Sequence, residues 1–417
     1  MSLSNIEERE RLNIIGVGMF PPHPGGAALS LFDILDGCAK RGHRIRVLSP
    51  IAESSIAIEP RRGEYSPRLE LTRFPVPYFQ TGGKIFASDN YRDVEAPRVR
   101  RLLRRMSQEE RPNLFFVGRE TFAPYVAEVA AETQIPYVLR IAGATTLGLL
   151  KGTVSKELAD SLLEGYRHAD IIVSPARHMA DRVAQLGLHD VRVIPNAIDI
   201  NRFKMGKRDR NLRRRLNIGG QDIVVGHVSN LQKLKRSMDV VLSADQALRR
   251  NPSLLYLFIG DGTERAAVEA KCAELGIADR VRFTGWVAYG DMPAHYRLAD
   301  LVVMPAEDET LARVFLETQA CGCVLISSDI AAAREVIIHD KTGSLFPVGD
   351  IDALTELTLA MAADPRRRAR IGREARAQVT EHSLDDAVES YIELFRTVTR
   401  QRASSPGCQN NGLLKNG

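Results

Sequence analysis

The chain contains no run approaching the ~18 consecutive apolar residues that a membrane-crossing helix requires. Cysteines are few: Cys38, Cys272, Cys321, Cys323 and Cys408. An odd, scattered set argues against a disulfide framework and fits a reducing compartment. Cys321-Gly322-Cys323 has the wrong spacing for a C-x2-C knuckle and no second pair beside it, so it reads as small residues where a helix turns into a strand. Charge of one sign is also scarce. The net charge of +5 comes from 57 basic and 52 acidic residues. That excess does not argue for nucleic acid, although it suits a polyanionic ligand such as a nucleotide diphosphate. The basic runs Arg98–Arg105, Lys207–Arg215 and Arg366–Arg376 lack interleaved aromatics and read as solvated helix faces. Peripheral contact of one of them with anionic lipid or an acceptor is the alternative. The dinucleotide fingerprint G-x-G-x-x-G is missing, because Gly16-Val17-Gly18-Met19-Phe20 runs into Pro21 where the third glycine belongs. An oxidoreductase is thereby disfavoured. No Ser/His/Asp or Cys/His constellation supports a covalent path. Residues Met1–Arg11 are polar and acidic, unlike a signal peptide, so a cytoplasmic protein is expected.

What is present is a repeated alternation. With 417 residues, two domains are the default. Leu12–Val17 is a compact apolar run ending in glycine-rich sequence. Ala28–Arg41 follows with helical period and stops at Gly42, a natural residue just past a helix end, and Arg44–Leu48 is the next strand. Further strands are predicted at Leu114–Val117, Tyr137–Ile141, Ile171–Val173 and Val191–Ile194. Ile51–Arg92 carries Pro60, Pro67, Pro75 and Pro77 without clear periodicity and reads as an irregular insertion. After Pro195-Asn196 the pattern restarts, with strands at Ile223–Val228, Leu254–Ile259, Val281–Phe283, Leu301–Val303 and Val324–Ile326. Helices are predicted at Ser237–Arg249, Glu264–Leu275, Ala312–Cys321 and Leu384–Arg400. Continuous apolar strands of this kind belong to buried parallel sheets. The fold class is therefore α/β, with two doubly wound units. The expected domains are residues 1–200, 201–383, a C-terminal helix over 384–400 that returns toward the first domain, and a disordered tail over 401–417.

Four segments carry candidate chemistry. Pro21 to Ala27, with Gly25 and Gly26, lies between the first strand and first helix, where glycine permits close approach and the helix N-terminus favours an anion. Plain turn chemistry explains it as well. Ser229 to Arg236 follows a strand, where open α/β sheets bind ligands, and Lys235 there can neutralise a diphosphate. A solvated basic loop is the equal alternative. Gly260-Asp261-Gly262 is a further strand-end turn that bland structure explains. The fourth is Glu307 to Glu317. Glu309 falls in a strand-to-helix loop. Glu317, eight residues on, is expected about two turns inside the helix. Amides near Leu311–Arg313 would face phosphate oxygens. Helix-capping acids with Glu317 on a polar face are the alternative reading.

At this point the chain resembles the GT-B retaining glycosyltransferases of the family 4 type. Glu309–Glu317 matches their E-x7-E motif, and Glu317-Thr318-Gln319-Ala320-Cys321-Gly322 is similar to the family's "EAMACG". Pro195-Asn196-Ala197-Ile198-Asp199 with Phe203 resembles "PNGVD…F", and Gly260-Asp261-Gly262 and Phe283 to Val287 fit as well. The resemblance covers residues 12–400. It implies two Rossmann-like domains facing each other across a cleft. It implies a sugar moved with retention of configuration from a nucleotide-diphosphate sugar, with UDP the expected nucleotide, to a hydroxyl of a small-molecule or glycan acceptor. Glu309 and Lys235 would be catalytic, Glu309 at the transferred sugar and Lys235 at the diphosphate. Gly25, Gly26, Asn230, Arg236, Val287, Leu311, Ala312, Arg313 and Glu317 would bind the donor, Glu317 through the ribose and Val287 through its backbone to the base. No metal or other cofactor is implied as essential, and no nucleic acid. Asp350-Ile351-Asp352, the one D-x-D, reads as a helix cap. Four departures stand out. Asn230 replaces an Arg, Thr310-Leu311-Ala312 replaces "GFG", Ala332-Ala333 replaces "GG", and Ala142 stands where a His often contacts the sugar's C6 hydroxyl. The last points to a donor without that hydroxyl, to a substitute such as Arg140, or to weak activity. A non-catalytic sugar-nucleotide binder and an epimerase are the rival readings.

Overall fold

The computed structural model describes residues 10–21, 25–52, 65–76, 78–81, 84–87, 91–141, 143–188 and 190–404. Strands are β1 (Asn13–Val17), β2 (Arg44–Ala52), β3 (Leu69–Val76), β4 (Tyr78–Thr81), β5 (Lys84–Ala87), β6 (Leu114–Val117), β7 (Tyr137–Arg140), β8 (Ile171–Ser174), β9 (Val191–Val193), β10 (Ile223–Val228), β11 (Leu254–Ile259), β12 (Val281–Phe283), β13 (Leu301–Met304), β14 (Val324–Ser328) and β15 (Ser344–Phe346). Helices are α1 (Gly26–Lys40), α2 (Tyr91–Glu109), α3 (Ala123–Thr133), α4 (Ala144–Leu150), α5 (Lys156–Arg167), α6 (Arg177–Ala184), α7 (Arg210–Arg215), α8 (Ser237–Arg250), α9 (Arg265–Glu274), α10 (Met292–Tyr296), α11 (Arg313–Ala320), α12 (Ala331–Arg334), α13 (Ile351–Ala363), α14 (Pro365–Gln378) and α15 (Leu384–Ser404).

Contacts divide these elements into two units, the chain passing from the first to the second at Pro195/Asn196 and back at Ser383/Leu384, with Thr81–Lys84 also grouped with the second. The first unit holds a seven-stranded sheet in the order β3-β2-β1-β6-β7-β8-β9, parallel throughout. Its strands β6, β7 and β8 are buried along their whole length, as apolar runs between two helical layers must be. One face packs Val99, Leu103, Val126, Val129 and Leu162 of α2, α3 and α5. The other packs Leu31, Ile34 and Leu35 of α1 with Val388, Tyr391, Ile392, Phe395 and Val398 of α15. The second unit holds a six-stranded parallel sheet in the order β12-β11-β10-β13-β14-β15. In each sheet the order reverses once, between β1 and β6 and between β10 and β13. Such a reversal opens a crevice at the carboxyl ends of the two strands.

Two sequence expectations need correction, and one strand is new. Ile51–Arg92 is not wholly irregular. Strand β2 runs through to Ala52, β3 pairs with it from Ile45↔Leu69 to Ala52↔Val76, β4 and β5 form a two-stranded sheet, and α2 begins at Tyr91. As an edge strand β3 is only partly covered, so it lacks a continuous apolar run, and an edge tolerates Pro75. The final helix extends four residues past Arg400, so residues 401–404 are helical; residues 405–417 of the predicted tail lie outside the described residues. Strand β15 was not read from the sequence at all, being three residues long with a serine at its start. Asp350 caps α13 as expected, its side chain accepting from the Ala353 amide at 2.8 Å.

Candidate functional site

The crevice of the second sheet collects most of the predicted residues. Strand β10 ends at Val228 and feeds a loop to Arg236; β13 ends at Met304 and feeds a loop to α11. Glu307 N donates to Leu234 O at 3.0 Å, which ties the two loops together. Lys235 Nζ forms an ion pair with Glu309 Oε1, with side chains 18% and 11% exposed. Helix α11 starts at Arg313, so Glu317 lies one turn inside it, not two, because residues Glu309 to Ala312 are non-helical loop. Its carboxylate is held on both oxygens. Tyr296 donates its hydroxyl to Oε2 at 2.8 Å, and Arg313 Nε faces Oε1 at 3.4 Å. Burial and the adjacent Glu317 push the Tyr296 hydroxyl well above its ordinary range, so it stays a donor. The first amides of α11 have no acceptor within their helix, and no acidic side chain occupies its first turn. That end of the helix favours an anion.

The Lys235 loop is braced from below. His227 in β10 donates from Nδ1 to Val303 O at 2.9 Å. Its Nε2 accepts from Ser229 Oγ at 2.9 Å and Ser237 Oγ at 3.0 Å. Burial holds its pKa at about 4, with nearby Lys235 adding to the shift, so the ring is neutral. Leu231 and Arg236 adopt left-handed φ values of 36° and 50°, and a side chain pays for that conformation. Gly260 and Gly262 are required by close backbone approach. A Cβ at either would come within 2.0 Å of Ser229 O or 1.9 Å of Asn230 O.

The remaining candidates are placed as follows. Asn230 is exposed at the turn after β10. Arg236 caps α8 and turns its guanidinium onto Asp239 at 2.7 Å. Val287 is half-buried between Gly285 and the turn Tyr289–Asp291, beside the exposed Trp286. Leu311 and Ala312 lead into α11; the Leu311 side chain is buried, and its carbonyl accepts from Asn196 Nδ2 at 2.6 Å. Gly25 and Gly26 belong to the first unit, where Gly25 precedes α1 with φ 114° and nothing within 4 Å of a Cβ placed on it. Pro22, His23, Pro24 and Ala142 lie outside the described residues. Arg140, offered as a substitute for Ala142, is buried and hydrogen-bonds Tyr391 of α15. Cys321 and Cys323 are buried at the α11–β14 junction around Gly322, and burial pushes the Cys323 thiol up to about 12. Among the described residues no group of three His, Cys, Asp or Glu could hold a metal ion. Tyr289, Tyr296 and His227 were not singled out in the sequence. A lone histidine inside the apolar run Ile223–Val228 was the one available signal.

Two protein-family models match the chain: "Glycosyl transferase 4-like domain" over residues 25–197 and "Glycosyl transferases group 1" over residues 208–378. A GDP-mannose-dependent alpha-(1-6)-phosphatidylinositol monomannoside mannosyltransferase of Mycolicibacterium smegmatis is 28% identical over 214 residues, 49% of this chain and 56% of the relative. A D-inositol 3-phosphate glycosyltransferase of Salinispora tropica is 31% identical over 220 residues, 49% of this chain and 45% of the relative. An N-acetyl-alpha-D-glucosaminyl L-malate synthase of Bacillus anthracis is 27% identical, covering 55% of this chain and 60% of the relative. The chain thus spans about half the length of the curated relatives it matches. Among solved structures, Anabaena HepE in complex with UDP and glucose superposes with a TM-score of 0.77 at 19% identity, covering 92% of this chain and 100% of that one. Sucrose-phosphate synthase from Thermosynechococcus elongatus gives 0.77 at 19% identity, covering 93% and 100%. With two parallel-sheet Rossmann-like units and both halves matched, the chain belongs to the GT-B glycosyltransferases of the family 4, group 1 type.

Proposed function

We propose that the protein is a retaining glycosyltransferase that moves a sugar from a nucleotide-diphosphate sugar to a hydroxyl of a small-molecule or glycan acceptor. The observation that carries this reading is the Lys235–Glu309 ion pair across the loops that follow β10 and β13, with the anchored Glu317 one turn inside α11, the helix the second loop enters. In this reading Glu317 accepts the ribose hydroxyls and the α11 amides take the diphosphate oxygens. Lys235 leaves Glu309 to meet the departing phosphate, and Glu309, relieved of its partner, lies beside the transferred sugar. The acceptor oxygen forms its bond to C1 on the face from which the phosphate oxygen leaves, and the acceptor proton passes to that phosphate. No protein nucleophile and no metal ion enters the step. UDP is the nucleotide of choice here; the M. smegmatis relative is named as GDP-mannose-dependent, so the base is tested rather than assumed. Ala142 favours a sugar lacking a C6 hydroxyl.

The test incubates the purified chain with UDP-glucose, UDP-N-acetylglucosamine, UDP-xylose and GDP-mannose, each with and without polyol, hydroxy-acid and lipid-glycoside acceptors. Acceptor-dependent nucleotide release with an α-configured product from an α-configured donor is expected. Tight nucleotide binding without release under any pairing establishes a non-catalytic binder instead. An ordinary hexose donor turning over far faster than the pentose removes the C6 argument.

A further inference from the structure

Arg313 opens α11 with only 4% of its side chain exposed. A guanidinium this deep is costly unless its donors are used. Here they reach three separate segments. Nε faces Glu317 Oε1 at 3.4 Å, Nη1 donates to Ala197 O at 3.3 Å, and Nη2 donates to the Tyr289 hydroxyl. The Tyr289 ring lies 5.4 Å from Cζ, and that ring packs in turn on Phe203. The opposite oxygen of Glu317 is fixed by Tyr296. A carboxylate so held cannot rotate away. Held in one orientation, its two oxygens lie side by side, the pattern that suits a vicinal diol. A carboxylate already in place pays no side-chain ordering cost when the ligand arrives.

We infer that Arg313 is a positioning residue that holds the Glu317 carboxylate for the two ribose hydroxyls, and so sets how sharply the site separates ribonucleotides from deoxyribonucleotides. The inference rests on the donor-site reading above. Arg is required because its planar fork reaches Glu317, Ala197 and Tyr289 at once; a lysine supplies charge without that geometry.

The experiment titrates the full chain by calorimetry with UDP and GDP and with their 2′-deoxy and 3′-deoxy counterparts. The wild type should prefer the ribonucleotide by roughly 10- to 100-fold, the worth of a hydrogen bond to a charged group. Glu317→Gln should remove most of that preference. Arg313→Leu should cut it by about tenfold, Arg313→Lys should give an intermediate value, and Arg313→Leu with Glu317→Gln should match Glu317→Gln alone, since the two act through one contact. Tyr289→Phe, which removes one anchor of the guanidinium with little change of volume, should weaken the preference in the same direction. It carries the test where Arg313→Leu fails to fold. A wild-type preference retained in Arg313→Leu, or in Tyr289→Phe and Arg313→Lys together, while Glu317→Gln loses it, overturns the role of Arg313 and leaves the donor site standing. Absence of nucleotide binding, or a preference that survives Glu317→Gln, overturns both.

Discussion

Lys235 and Glu309 neutralise each other before any ligand arrives, and both are mostly buried. The pair is therefore a store of charge that a diphosphate can redirect, and its two members should fail differently. Lys235→Ala removes the cation paired with the buried Glu309 carboxylate and should cost about 2 kcal/mol of stability. Turnover should fall by ~10²-fold or more, because the developing phosphate charge loses its cation. Adding Glu309→Gln should restore the melting temperature without restoring turnover. Recovery of both would make Lys235 a counter-ion and nothing more. His227 supplies a second residue-scale prediction. Its pKa is lowered from 6.5 to about 4 in the folded chain. Between those values the unfolded chain binds the proton and the folded one does not, so stability is lost as pH falls from 6.5 toward 4 and no further below it. The shift is worth about 3 kcal/mol. Chemical denaturation at pH 7.5 and pH 4 should show the stability advantage of the wild type over His227→Asn shrinking by about that amount. A gap independent of pH would show that the imidazole is protonated in both states or neither.

At the scale of elements, α1 and α15 meet at Gly37. A Cβ there would stand 2.5 Å from Val388 Cγ2, so the helices approach at a distance that only glycine allows. Gly37→Ala should destabilise by about 1–3 kcal/mol as an overpacked contact, and Val388→Ala in the same chain should recover part of the loss. Independent, additive effects would mean the helices shift apart freely. This contact also marks where sequence reading ends. Strands such as Leu114–Val117, Ile223–Val228 and Leu254–Ile259 were legible because parallel strands covered on both faces are unbroken apolar runs. Edge strand β3 was not, since Glu70, Thr72 and Arg73 interrupt it and solvent tolerates them. In the site, the Glu309–Glu317 spacing was visible. The turn of helix separating them was overcounted, because nothing in the sequence shows that α11 waits until Arg313 to begin. Tyr289 and Tyr296 reach Arg313 and Glu317 through tertiary packing alone, and no local pattern could place them there.

At the scale of the whole molecule, the second unit is an excursion between β9 and α15. Its two ends are bonded together: Ile198 N donates to His382 O at 3.0 Å, Ile198 bridges Ser383, and His382 Nδ1 lies 3.1 Å from Asn196 O. A segment whose ends already meet loses little chain entropy constraint when cut out. Its core, from Val225 and Leu231 to Met361 and Ile371, is internal to residues 196–383. A fragment of those residues should therefore melt cooperatively and keep nucleotide binding within the Lys235, Glu309 and Glu317 crevice. The first unit behaves oppositely, because α15 comes from beyond the excursion yet buries Val388, Tyr391, Ile392, Phe395 and Val398 on its sheet. Residues 1–195 alone would leave that face bare and should aggregate, whereas the same residues joined by a short glycine-serine linker to residues 384–404 should be soluble and fold. Circular dichroism melts and size-exclusion profiles of the three fragments decide the matter. A soluble, cooperative 1–195 would show α15 to be dispensable. A 196–383 fragment that folds but binds neither UDP nor GDP would show that the donor crevice draws on residues outside the second unit.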